Sequence, residues 1–276
     1  MTQSKATVMT KSEKRKSSSA RKSFTVRNSS NARTRSTARK AAAPRASAKR
    51  ARSGQPGRNG VGPRRKRTIS AVEFIGYAAR IMSESSSIKA IYDGRVDKGF
   101  REELMVAVAY QNQAPYCNWT HRSWASAHGV TDDELGNIEE LNFDELDPRV
   151  ATAVAYVRAL VSSDWQDAPR DLRQQMLEHF TWREIEDIEL IARAMDISNR
   201  TGNTWDAMLS RLSGEPIEDS DLLSEIFLSY VFLPMLPVGL SIVSRLTGVS
   251  VPQAAQGLAS HVQHFKRQAM PTGAGR

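Results

Sequence analysis

The chain has 276 residues, of which 40% are hydrophobic, 25% charged and 7% aromatic, with one cysteine and a formal net charge of +9. This length suffices for one or two domains with a hydrophobic core, while a lone cysteine excludes an internal disulfide framework and any multi-cysteine zinc or iron–sulfur site. The charge is uneven, because residues 1–70 hold 21 of the 39 Lys and Arg but only one acidic residue, Glu13. The sequence therefore joins a basic segment to an acidic body, and the overall pI of about 9.8 does not describe that body.

Residues 1–70 are predicted to form a disordered basic tail, because Phe24 is their only aromatic residue and they have no apolar periodicity. Three basic clusters, the last being residues 64–67 (RRKR), could contact nucleic-acid phosphates or an anionic membrane surface. An organelle-targeting peptide and a solvated extension without a specific role stay open as alternatives. No apolar signal core follows Met1, so a cytoplasmic location is expected, with organelle import as the alternative.

Helical periodicity begins at Ala71 and continues to about residue 270, without the alternating pattern of strands, which predicts an all-α fold. Thr131 and Glu134 form a capping-box pattern, and Asp147 precedes a proline suited to the first helical position. The segment 102–110 is apolar nearly all round after its first turn, which is typical of a helix packed on several sides. The candidate helices cover residues 71–83, 98–112, 115–128, 131–141, 147–163, 168–180, 182–212, 221–246 and 251–268.

An uncharged run at residues 226–244 is long enough to raise the question of a transmembrane helix. Pro234, Pro237 and Gly239 interrupt it, so we expect a pair of short helices that is buried or faces another subunit, and membrane contact is the less favoured interpretation. Residues 221–270 are thus expected to add an apolar helical segment to the main domain 71–270.

The chemically informative stretch surrounds Cys117. Pro115 suits the first turn of a helix, so Cys117 should lie in that turn, where free backbone N–H groups and the helix dipole favour the thiolate. His121 follows four residues later on the same face, which supplies a nucleophile with a base beside it. An inert buried thiol beside a core histidine is the structural alternative. A Cys-x-x-x-His pair lacks two further ligands for a metal, and neither a metal nor another cofactor is expected.

A set of residues in this region carries a family resemblance: Glu102, Asn112, Pro115, Tyr116, Cys117, His121, Gly129, Val130, Thr131, Glu134 and Leu135. Together they resemble the signature of the alkylhydroperoxidase D-like and carboxymuconolactone decarboxylase superfamily. The resemblance covers about residues 72–212 and includes a later element at 196–203 (DISNRTGN) that is similar to the family's Asn-Arg element. It implies a compact all-α, alkylhydroperoxidase D-like domain that assembles into trimers or hexamers.

The peroxidase branch of this family uses a Cys-x-x-Cys-x-x-x-His motif with an upstream glutamate that relays protons. The resemblance implies that Cys117 is the second motif cysteine, that His121 is the motif histidine, and that Glu102 rather than Glu103 is the relay. Ala114 stands at the first cysteine position, so an oxidised Cys117 would need an external thiol reductant.

The implied function is a thiol-dependent hydroperoxide reductase, an antioxidant peroxidase of the peroxiredoxin type with a single active cysteine. Two alternatives stay open. One is a non-catalytic oligomeric binding or scaffold protein whose tails contact nucleic acid or anionic surfaces, and the other is a decarboxylase-like enzyme acting on a small carboxylate. A hydroperoxide or other small molecule is the expected substrate, and a homo-oligomer is the expected assembly.

Overall fold

The computed structural model describes residues 61–166 and 168–269. These ranges contain eleven α-helices, a π-helical turn and a 3-10 turn without any β-strand, which confirms the predicted all-α class. The predicted disorder of residues 1–60 lies outside the described residues. The elements are α1 (Ala71–Ser83), α2 (Ser85–Ala90), the π turn Ile91–Arg95, α3 (Lys98–Gln111), α4 (Pro115–Ala127), α5 (Asp132–Glu140), the 3-10 turn Phe143–Glu145, α6 (Pro148–Ser162), α7 (Arg170–His179), α8 (Trp182–Leu212), α9 (Leu222–Phe232), α10 (Met235–Thr247) and α11 (Val251–Ala269).

The predicted helix starts at Thr131 and Asp147 are confirmed. Thr131 caps α5 by accepting from the backbone N–H of Glu134, whose own side chain reaches back to the cap backbone. Asp147 accepts from the N–H of Arg149 at the start of α6, and Pro148 occupies the first helical position. Such caps contribute about 1 kcal/mol each, because they satisfy backbone donors that the helix leaves free.

The hydrophobic core surrounds α3 and α6. Every residue from Arg101 to Ala109 is buried, as the apolar segment 102–110 predicted, and α3 packs against α4, α6 and α8. Burial of each of its larger apolar side chains, such as Leu104, stabilises the fold by about 1.5–3 kcal/mol. The core thereby holds the buried face of α3 in a fixed position relative to α4.

The predicted tail boundary at residue 70 needs correction, because residues 61–70 lie against the helices. The N–H of Gly62 donates to Ser162 Oγ at 3.1 Å, and the N–H of Ile69 donates to Thr204 Oγ1 at 3.0 Å. Ile69 is itself buried. Specific hydrogen bonds and one apolar anchor, rather than periodicity, hold this stretch, so the sequence pattern did not indicate it.

This correction also changes the interpretation of the basic cluster at residues 64–67. Lys66 forms an ion pair with Asp206, and Arg67, only 9% exposed, forms one with Asp164 and donates to the carbonyl of Val161. Arg65 also lies 3.7 Å from Asp219, so three of the four cations in this cluster form ion pairs within the chain. The predicted contact of the basic segment with nucleic acid or an anionic membrane surface stays a prediction.

The apolar C-terminal segment folds as the two short helices α9 and α10, which confirms the predicted break at Pro234. By length and composition, Leu222–Thr247 is the one described stretch long and apolar enough to cross a membrane, which by itself is weak evidence. The inner side of α10 packs on α4, whereas Tyr230 on α9 is 78% exposed. The segment thus covers part of the helical domain and leaves an apolar outer face.

Candidate active site

The packing of α3 against α4 brings Glu102 and His121 together. Glu102 Oε2 lies 2.6 Å from His121 Nδ1, and the Glu102 side chain has no exposed surface. A contact this short between a carboxylate and an imidazole is a charge-assisted or strongly polarised hydrogen bond. It fixes the ring and leaves Nε2 as the imidazole nitrogen that is free to exchange a proton.

Arg101 is a second partner of Glu102. Its Nε and Nη2 atoms donate to Oε1 at 3.0 and 2.8 Å, and its guanidinium lies over the Tyr92 ring at 4.3 Å. Burial alone would raise the pKa of the Glu102 carboxyl, but His121 and then Arg101 outweigh it and hold the pKa below its usual range. Glu102 therefore stays ionised and keeps its proton-accepting partner in place.

Cys117 lies in the first turn of α4, as the sequence predicted, but its electrostatic surroundings differ from the prediction. Burial among apolar side chains raises the pKa of its thiol to about 12. The predicted preference for the thiolate is wrong in this state, because removal of water from the sulfur disfavours its charged form. Cys117 is a protonated free thiol at neutral pH.

An apolar cavity of about 310 Å³ contains both Cys117 and His121 in its wall. The same cavity is lined by Trp124 of α4, Phe232 of α9 and Leu240 of α10. Its described lining includes no Lys, Arg, Asp or Glu side chain. The cavity is thus suited to a small, largely apolar molecule that reaches the thiol and the imidazole together.

Trp124 of α4 contacts the imidazole, and the sequence analysis did not predict this contact. The rings of His121 and Trp124 meet edge to face with centroids 4.9 Å apart. The contribution of α9 and α10 to the cavity was also missed, because nothing in the run 226–244 indicates which of its faces turns inward. Arg101 was missed as well, since adjacent helical positions do not normally share a face.

The element at residues 196–203 holds helices together and also contributes Ser198 to the cavity lining. Asp196 accepts from the side-chain amide of Asn112 at 2.8 Å, and Asn203 donates to the Asn112 carbonyl at 2.8 Å. Arg200 turns to the N-terminal stretch and donates to the Thr68 carbonyl at 2.8 Å. The network joins the end of α3 to α8 and so stabilises the helix that presents Glu102.

Comparisons with known proteins give no further identification. No protein-family model, no curated protein and no solved structure matches the chain. Within residues 61–166 and 168–269, no group of three or more His, Cys, Asp or Glu side chains is placed to hold a metal ion. The function must therefore be argued from the arrangement of Glu102, Cys117 and His121.

Proposed function

We propose that the chain is a thiol-dependent hydroperoxide reductase with Cys117 as the nucleophile and His121 as the general base. The observation that carries this proposal is the 2.6 Å contact between Glu102 and His121 in the wall of the cavity that also contains Cys117. With Nδ1 donating to Glu102, the Nε2 atom of His121 has a lone pair that can accept a proton. Activation of the thiol requires His121 Nε2 to reach its proton, directly or through a water, when a substrate occupies the cavity that both residues line.

The raised pKa of Cys117 determines how the first step proceeds. Because the free thiolate is scarce at neutral pH, His121 takes the proton as Sγ attacks the outer peroxide oxygen. The S–O bond forms, the O–O bond breaks, and the leaving oxygen takes the proton from His121. The sulfur loses two electrons, the peroxide gains them, and the products are Cys117 sulfenic acid and an alcohol, or water from hydrogen peroxide.

Regeneration of Cys117 requires two equivalents of an external thiol. The first thiol displaces water from the sulfenic acid to form a mixed disulfide, and the second releases Cys117 and an external disulfide. Ala114 leaves no cysteine in the motif for this role. A reducing, thiol-rich compartment such as the cytoplasm suits this cycle, and the exposed apolar face of α9 supports assembly into the trimer or hexamer that the family resemblance implies.

The direct test is consumption of cumene hydroperoxide by the full-length protein with dithiothreitol as the reductant. Cys117→Ser should abolish turnover while leaving the circular dichroism spectrum unchanged. His121→Gln should slow turnover about 10²–10⁴-fold, because the general base is lost. His179→Gln is the matched control, since His179 is exposed on α7 outside the cavity lining and its loss should leave the rate unchanged.

A second candidate function is proton transfer on a small carboxylate, as in a decarboxylase-like enzyme that uses Glu102 and His121 without the thiol. The raised pKa of Cys117 favours it, because an inert buried thiol has the same property. It ranks second because the described cavity lining offers no Lys or Arg for a substrate carboxylate. Retention of enzymatic activity in Cys117→Ser would decide for it.

A further inference from the structure

A second cavity, about 390 Å³ in volume, lies where the N-termini of α3, α5 and α6 meet. Its carboxylates belong to four residues and its edge includes Arg149. Glu103 is 7% exposed, whereas Asp97, Glu134 and Asp147 are exposed residues. We call this feature the acidic depression, with Glu103 as its buried group and the other three carboxylates as its rim.

Glu103 has no hydrogen-bond or ion-pair partner anywhere in the described part of the chain. A carboxylate on a side chain this buried is normally paired, since loss of its hydration otherwise costs free energy. Burial, together with the charges of Glu134, Asp97 and Asp147, raises the pKa of Glu103 to about 7. The Glu103 carboxylate therefore takes up a proton near neutral pH in place of a hydrogen-bond or ion-pair partner.

Each rim carboxylate caps a helix with only one of its two oxygens. Asp97 Oδ1 accepts from the backbone of α3, Asp147 Oδ1 accepts from the backbone of α6, and Glu134 Oε2 closes the capping box of α5. The second oxygen of each carboxylate has no partner within the described ranges. Each of the three rim carboxylates thus keeps one acceptor oxygen unpaired within those ranges.

Two cationic or titratable side chains also border the depression, and they do not neutralise it. Arg149 forms an ion pair with Glu184, and its guanidinium lies over the Phe180 ring at 4.5 Å. His128, which ends α4, is the other, and it makes no ion pair with these carboxylates among the residues described. Four carboxylates therefore share one depression without a bound counterion from the chain.

We propose that the acidic depression binds a primary alkylammonium ion, supplied by a free alkyl polyamine or by a lysine side chain. An ammonium group donates up to three hydrogen bonds, and Glu103 and the rim carboxylates offer unpaired oxygens that can accept them. No group of three or more His, Cys, Asp or Glu side chains in the described ranges is placed to hold a metal ion, so an organic cation is proposed instead of a metal. Phe100, Val130 and Val150 also line the depression and provide apolar contact for an alkyl chain.

The experiment is calorimetric titration of the full-length protein with spermidine at pH 7 and low salt, in two buffers of different ionisation enthalpy. Binding should release up to about half a proton per ammonium, because the cation replaces the proton on Glu103. Glu103→Gln should weaken binding about tenfold or more and abolish the proton release. Glu145→Gln makes the same chemical change at an exposed position outside the depression and should leave both quantities unchanged.

Asp97→Asn and Asp147→Asn keep a side chain that caps helices well while removing one rim charge each. Each should weaken spermidine binding severalfold without loss of helix content, which keeps the test valid if Glu103→Gln folds poorly. A parallel titration with Nα-acetyl-lysine amide distinguishes the two sources. Tight binding of spermidine alone assigns a free polyamine, and similar binding of both compounds assigns a single ammonium such as a lysine side chain. Absence of binding by either, or equal loss in Glu145→Gln, would overturn the proposal.

Discussion

Glu102 and Glu103 are consecutive buried residues of α3, but Glu102 lies beside cationic or titratable partners and Glu103 lies beside other carboxylates. Glu102 contacts Arg101 and His121 at hydrogen-bonding distance, and its pKa lies below the usual range. Glu103 has no partner among the described residues, is surrounded by the acidic rim, and has a pKa of about 7. Burial raises the pKa of both carboxyls, so the charged neighbours decide the direction of the net shift.

The two shifts have opposite consequences for stability. The pKa of Glu102 is lower in the folded than in the unfolded chain, so Glu102 stabilises the fold above its unfolded pKa and loses this effect as the pH falls. The pKa of Glu103 is higher in the folded chain, so its destabilising effect is absent in acid and grows from about pH 4.5 to about pH 7. The comparison can be tested at each residue separately.

The largest effect is expected from Glu102→Gln. A neutral amide cannot hold an imidazolium in place, so the catalytic constant for peroxide reduction should fall about 10²–10⁴-fold. The measurement is steady-state reduction of cumene hydroperoxide, with Glu145→Gln as the matched control at an exposed position. Unchanged turnover in Glu102→Gln would separate Glu102 from the chemistry.

The next effect concerns Glu103→Gln, which should stabilise the protein at high pH. Because the variant has no charge to bury, its free energy of unfolding at pH 8 should exceed that of the wild type by up to about 3 kcal/mol. The gain should disappear below pH 4.5. Urea unfolding at pH 4 and pH 8 measures both values, and a variant less stable than the wild type at pH 8 would show that Glu103 has a favourable partner.

A smaller effect should follow from Arg101→Gln, which removes one of the two cationic partners of Glu102. The pKa of Glu102 should then rise, because burial is less well offset. The acid limb of the pH profile of peroxide reduction should move upward with it. Arg183→Gln, at an exposed position on α8, is the control and should leave the profile in place.

The smallest effect is expected from Asp97→Asn. Loss of one rim charge should lower the pKa of Glu103 by a few tenths of a pH unit, since solvent screens the interaction with an exposed carboxylate. Carbon-13 NMR of the labelled glutamate carboxyls reports this pKa directly. A rise instead of a fall would mean that Asp97 donates a hydrogen bond rather than repelling Glu103.

The sequence predicted the helix starts and the partnership of Glu102 with His121 better than it predicted the protonation state of Cys117. Capping patterns at Thr131 and Asp147 are local, so the helix starts followed from spacing alone. The pKa of Cys117 depends on side chains from α9 and α10, which are far away in the chain. No local sequence pattern indicates how far those helices exclude water from the Cys117 sulfur.

The sequence did not predict three other features, for related reasons. The packing of residues 61–70 depends on hydrogen bonds to α6 and α8 and has no periodicity to detect. The short helix α2 (Ser85–Ala90) lies in a serine-rich stretch with no apolar stripe. The acidic depression forms because three helix caps meet in space, although each cap alone looks like an ordinary helix start.

The account of the active site depends most directly on how Cys117 loses its proton. The decisive measurement is the single-turnover rate at which cumene hydroperoxide oxidises Cys117, followed from pH 5 to pH 10 by dimedone trapping and mass spectrometry. With His121 as the base, the oxidation rate should increase with pH in the acidic range and become constant well below the pKa of about 12 that burial gives the thiol. His121→Ala should abolish this constant region. A rate that rises about tenfold per pH unit to pH 10 and does not respond to His121→Ala would contradict the account.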